Sequence, residues 1–132
     1  MSESINPEGW PRPSGFSNGS LAEGRFLAIA GQIGWDERGK LVGTTLLAQA
    51  AQAMHNIVVI LRAAGGMPED LVRMTWYVTD KAAYKAASRE LGAVYREIVG
   101  NVYPAMTLVQ VADLLEEGAI VEIEATAVLP WT

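Results

Sequence analysis

The chain contains no cysteine and a single histidine, His55. Without thiols there can be no disulfide, no thiolate metal site and no cysteine nucleophile. One imidazole excludes a histidine-rich metal centre. The N-terminus lacks a basic-then-apolar leader, and no apolar run approaches the ~18 residues of a membrane span. A soluble, cytoplasmic protein without membrane contact is therefore expected. Positive charge is also scarce. Ten Lys and Arg face fifteen Asp and Glu, giving a net charge of -5. A negative field repels phosphates, and no Lys/Arg cluster offsets it, so nucleic acid is not an expected partner.

What is present is apolar. Hydrophobic residues make up 50% and charged residues 19% of 132 positions. This composition suits a globular chain, and the length fits one domain over residues 1–132 with one two-layer core. The apolar content is high for a small monomer, which points to a subunit interface.

Residues 1–15 hold three prolines and two glycines, so they read as an extended arm, with Trp10 expected to pack it down. Phe16–Leu21 reads as a first strand. "RFLAIAGQI" is apolar on both faces and suits a central strand. "DERG" is a turn signal, with Lys40–Val42 as a short return. Thr44 or Thr45 caps a helix whose apolar stripe runs from Leu47 to Leu61, and Gly65 offers a left-handed end. "LVRMTWYVT" is a strand with Trp76 and Tyr77 on opposite faces. Asp80 caps a second helix carrying Tyr84, Ala87, Leu91, Val94, Tyr95 and Ile98, closed by Gly100. "AMTLVQVADLL" and "AIVEIEATAVL" are the last strands.

The order β-β-β-α-β-α-β-β is an α+β arrangement with two helices packed on one sheet face. In "VEIEATAV", Val121, Ile123, Ala125 and Ala127 point one way and should meet the helices. Glu122 and Glu124 point the other way, roughly 7 Å apart. Two nearby carboxylates can share acid/base work. The plainer reading is a solvated sheet face or an interfacial ion pair. Gly31 and Gly34 in "AGQIG" mark a bulge, a close approach to the backbone or tight packing; the spacing is not that of a phosphate loop. His55 sits at the edge of a helical stripe, where a histidine is ordinarily a boundary residue. Ser17, Ser20 and Thr107 become nucleophiles only with a base beside them.

Together "SGFSNG", "AIAGQIGWDERGKLV", "QAAQAMHNIVVILRAAG", "MTWYVTDKAAY", "YPAMTLVQVADL" and "VEIEATAV" resemble the RidA (YjgF) family of enamine/imine deaminases, over about Gly15 to Val128. The resemblance implies a chorismate-mutase-like fold. It implies a homotrimer with an inner β-barrel and a small-molecule ligand in each intersubunit cleft. Members hydrolyse reactive enamines and imines without metal or cofactor. Carried over by position, Glu122 is the catalytic residue that holds water. Phe16, Ala30, Gly31, Met106, Thr107 and Leu108 become substrate-binding residues, joined by Ser88, for which Arg89 is the alternative match. Phe16 lacks the hydroxyl of the family's tyrosine, and Ala30 replaces its serine.

Position 106 is the main departure. Active members carry Pro-Ala-Arg, and this chain has Pro104-Ala105-Met106. The arginine grips a carboxylate bidentately, whereas methionine has no charge and no donor. Losing such an anchor costs about 2–5 kcal/mol of binding. Deamination of 2-iminopropionate is therefore expected to be absent or weak, and a neutral or cationic substrate is expected in its place. Arg12, Arg25, Arg73 and Arg89 are candidates for a substitute cation. The competing functions are a trimeric ligand-binding protein without turnover and, against the charge and the single histidine, a ribonuclease or translation inhibitor.

Overall fold

The computed structural model describes all 132 residues. The chain forms two sheets and three α-helices. Its elements are β1 (Glu3–Ile5), β2 (Gly19–Leu21), β3 (Arg25–Gln32), α1 (Leu46–Ala63), β4 (Leu71–Val78), α2 (Lys81–Ala86), α3 (Ser88–Ile98), β5 (Ala105–Gln110) and β6 (Val121–Leu129). The main sheet has the order β3-β6-β4-β5, and β1 pairs with β2 in a small second sheet. β4 and β5 run parallel while the other main-sheet pairs are antiparallel. A parallel pair needs a crossover, and α2 with α3 supplies it.

α1 starts where Thr45 accepts a hydrogen bond from the Ala48 amide. It ends as expected: Gly65 takes φ 86° and the Gly66 amide donates to the Leu61 carbonyl. The buried α1 residues Ala50, Ala53, Met54, Ile57 and Leu61 share one core with Met74, Trp76 and Val78 of β4 and Val121, Ile123 and Ala125 of β6. β6 alternates buried and half-buried along its whole length, with Glu122, Glu124, Thr126 and Val128 on the helix-free face.

Several elements depart from the sequence reading. The second helix is two, broken at Ala87, whose φ of -95° and ψ of 7° leave the helical region. The break lets Tyr84 stay edge-on to Trp76, with ring centroids 5.9 Å apart, while α3 buries Leu91 and Tyr95. β3 is an edge strand of the four-stranded sheet rather than a central one; its outer face of Phe26, Ala28 and Ala30 is apolar yet exposed. The return at Lys40–Val42 is reduced to one bridge between Trp35 and Leu41. Trp10 is 61% exposed and does not pin the arm. The arm is held by β1 against β2, and by Ser17, whose hydroxyl donates to the Tyr103 carbonyl and is hydrogen-bonded to the Ser4 hydroxyl.

Candidate functional site

The proposed site residues fall on two faces of the main sheet. Register decides which. Met106 pairs with Met74 and Leu108 with Trp76, and Met74 and Trp76 are core residues of the helix face. Glu122 pairs with Tyr77 and Glu124 with Thr75 on the opposite face. β4 lies between β5 and β6, so Met106 and the glutamates are not neighbours across two adjacent strands. Strands consecutive in sequence commonly pair, and here they do not.

On the helix side, a cleft of about 970 Å³ opens at the outer edge of β5. Phe16, Ser88, Met106, Thr107 and Leu108 all line it, as do Trp76, Tyr84, Leu91, Gly92, Tyr95 and Tyr103. The arm reaches it because Ser17 bridges Ala105 in parallel at the sheet edge. The Ala105 amide donates to Ser20 Oγ at 2.8 Å. Ser17 and Ser20 are thus structural, and neither hydroxyl has a base beside it. Burial raises the Tyr84 phenol above its ordinary range. Burial also raises Tyr95, with a further contribution from Tyr103, which stacks on it at 5.4 Å. Both phenols therefore stay neutral near pH 7. The indole Nε1 of Trp76 is buried without a hydrogen-bond partner.

Two cleft residues are arginines, Arg89 and Arg96. Arg89 was among the expected substitute cations. Arg96 was missed, although its spacing of two helical turns from Arg89 was available as a signal. The other candidates lie elsewhere. Arg25 reaches the Pro130 carbonyl, Arg12 is exposed on the arm, and Arg73 is on the open sheet face near Tyr77, where its charge partly opposes the upward shift of that phenol.

The open face holds the second group. A Cβ placed on Gly31 would sit 2.0 Å from Glu122 Oε2. The side chain of Glu122 therefore occupies the space that only glycine leaves free. The β3 register also shifts between Ile29 and Gln32, so Gly31 marks both a bulge and a close approach. Gly34 has a different reason: its Cβ would lie 2.6 Å from Gln49 Cα, so the chain packs tightly on α1 there. Ala30 is exposed beside Gly31, and its carbonyl accepts from Gln32 Nε2. Tyr77 donates its hydroxyl to Glu124 Oε1 at 2.5 Å. That bond, then burial and the Glu124 and Glu122 charges, hold the Tyr77 phenol above its usual range. Glu124 is thereby engaged, while Glu122 has no hydrogen-bond donor from within the chain. No group of three or more acidic or histidine side chains is arranged to hold a metal. His55 is exposed, in a shallow hollow with Asp36 and Gln52. No helix is long and apolar enough to cross a membrane.

Comparison with known proteins identifies the family. The family described as Endoribonuclease L-PSP matches residues 11–129. A RutC family protein of Pyrococcus horikoshii is 35% identical over 96% of this chain and 98% of its own. A 2-iminobutanoate/2-iminopropanoate deaminase of Salmonella typhimurium is 32% identical over 97% of this chain and 98% of its own. Among solved structures, a Yersinia pestis protein of unknown function from the conserved Rid family superposes with a TM-score of 0.83. It is 39% identical and covers 97% of this chain and 98% of that one.

Proposed function

Because the chain belongs to the YjgF/RidA family, we propose that it is a hydrolase of a small enamine or imine other than the usual 2-imino acids, with its site assembled between subunits of a homotrimer. The observation that carries this reading is Met106, which stands in the same cleft as Phe16, Ser88, Thr107 and Leu108. A thioether there gives shape and no carboxylate grip. The cleft and the Glu122–Gly31 group face opposite sides of one sheet. One protomer therefore supplies the substrate wall and its neighbour the water-holding carboxylate. The exposed apolar side chains of the open face, with Phe26 72% exposed, support its burial against another copy.

In this reading Glu122 accepts a proton from water as the oxygen attacks the imine carbon. That proton passes to the nitrogen, the hydroxyl of the resulting carbinolamine then gives up its proton to the same nitrogen, the C–N bond breaks, and ammonia leaves a carbonyl product. Glu122 suits the role because its carboxylate is free of donors within the chain, unlike Glu124. The test uses imines generated in situ from amino acids and from aryl-alkyl amines by oxidases, with carbonyl release followed in time. Acceleration is expected with a larger imine and not with 2-iminopropionate, and Glu122→Gln should lower it at least a hundredfold. Clear turnover of 2-iminopropionate would overturn the reading of Met106. Unchanged turnover in Glu122→Gln would overturn the role of Glu122. Ligand binding without any turnover would favour a non-catalytic trimeric binding protein.

A further inference from the structure

Arg89 and Arg96 lie on α3 about 10 Å apart along its axis and both line the cleft. The one ion pair in the molecule joins the Met1 ammonium to Asp70, so both guanidinium groups are unpaired. No carboxylate lines the cleft, although acids outnumber bases fifteen to ten in the chain. Gly92 lies between the two arginines, and a Cβ there would be 3.4 Å from Arg96 Nη1. The Arg96 side chain thus folds back along the helix toward Arg89, the direction in which helical side chains lean. The wall beneath is apolar and aromatic, from Trp76, Tyr84, Met106 and Leu108. That wall also holds the Trp76 N–H that lacks an acceptor. At about 970 Å³ the cleft is at the upper end of ordinary ligand sites, about 300–1,000 Å³, and far exceeds the needs of a three-carbon imino acid.

We infer that the cleft binds an amphipathic carboxylate, with its apolar body against Met106, Leu108 and the Trp76–Tyr84 wall and its carboxylate held by Arg89 and Arg96. This deepens the proposed hydrolase reading and rests on it for the identity of the cleft as the substrate wall. The negative charge that the family holds beside position 106 is moved to the far end of a longer molecule. The expectation of a neutral or cationic ligand, drawn from Met106 alone, is revised accordingly. An arginine is well suited to the task because its planar fork matches a carboxylate and never loses its charge near neutral pH.

The test is calorimetric titration of the full chain with 4-phenylbutyrate and its neutral amide, 4-phenylbutanamide. The carboxylate is expected to bind at least tenfold more tightly than the amide, and its affinity to fall with added salt. Arg89→Gln and Arg96→Gln should each weaken the carboxylate about tenfold and leave the amide unchanged. Both sites are exposed, so folding is not at stake. Equal affinity for the two probes, parental affinity in the double variant, or no binding of either at millimolar concentration would each overturn the inference. Arginine-dependent binding without imine turnover would count against the hydrolase alone. Imine turnover with equal affinity for the two probes would count against the arginine site alone.

Discussion

At the residue scale, two positions concentrate the chemistry. Gly31 keeps the space that the Glu122 carboxylate fills. Gly31→Ala should displace that carboxylate and lower turnover sharply, with a stability loss of about 1–3 kcal/mol from overpacking. Urea denaturation beside the imine assay separates the two effects. If turnover survives intact, the Gly31–Glu122 contact has no part in catalysis. Met106 shares the core of the helix face while lining the cleft. Met106→Arg is expected to confer binding of a small carboxylate such as benzoate, detectable by calorimetry, since the register aims that side chain into the cleft. Failure of benzoate to bind would mean that the surrounding wall no longer fits a short acid. Gln49 was invisible as a key residue in the sequence. It is fully buried, donates to the Gly43 and Gly118 carbonyls and accepts from the Ile120 amide. A polar side chain on a helix gives no hint that it will pin two loops.

At the scale of elements, α3 and β5 form the cleft together, and Tyr95 ties them. Its hydroxyl donates to the Val102 carbonyl on the connection between them. Tyr95→Phe is expected to cost about 1 kcal/mol at pH 7 through that lost bond. The pH dependence follows from the raised phenols of Tyr77, Tyr84 and Tyr95. A raised folded pKa means that the folded state holds the proton more tightly. The stabilisation is complete below the unfolded tyrosine value of about 10 and is lost as pH rises through the folded values. Wild-type stability should therefore fall above about pH 10, and Tyr95→Phe should fall less steeply. Thermal unfolding at pH 7 to 11 measures both. A parallel decline in the two proteins would remove Tyr95 from the account.

At the scale of the whole molecule, the open sheet face is the unfinished surface. Phe26, Ala28, Ala30, Tyr77 and Val128 lie there with Glu122 and Glu124. Light scattering should give three times the chain mass of 14.2 kDa. Phe26→Lys, placing a charge on that face, should yield monomers and abolish turnover together, because one protomer holds only half of the proposed site. A monomeric parent protein would leave the cleft and Glu122 in no common site.

The helical stripes, the strand alternation in β6, the Thr45 cap and the Gly65 terminus were all legible in the sequence, because each depends on side-chain periodicity or local backbone preference. The two glutamates on one face were legible for the same reason, and the family resemblance from the segments that match in order. The sequence did not show that β4 would separate β5 from β6, that Arg96 would join Arg89 in the cleft, or that Met106 and Glu122 would face opposite sides. Those depend on non-local pairing, in which a register set many residues away decides the face of every side chain. Local pattern settled what each segment is. Only the tertiary structure decided which segments meet, because strand order and register are set by pairing between residues far apart in the chain.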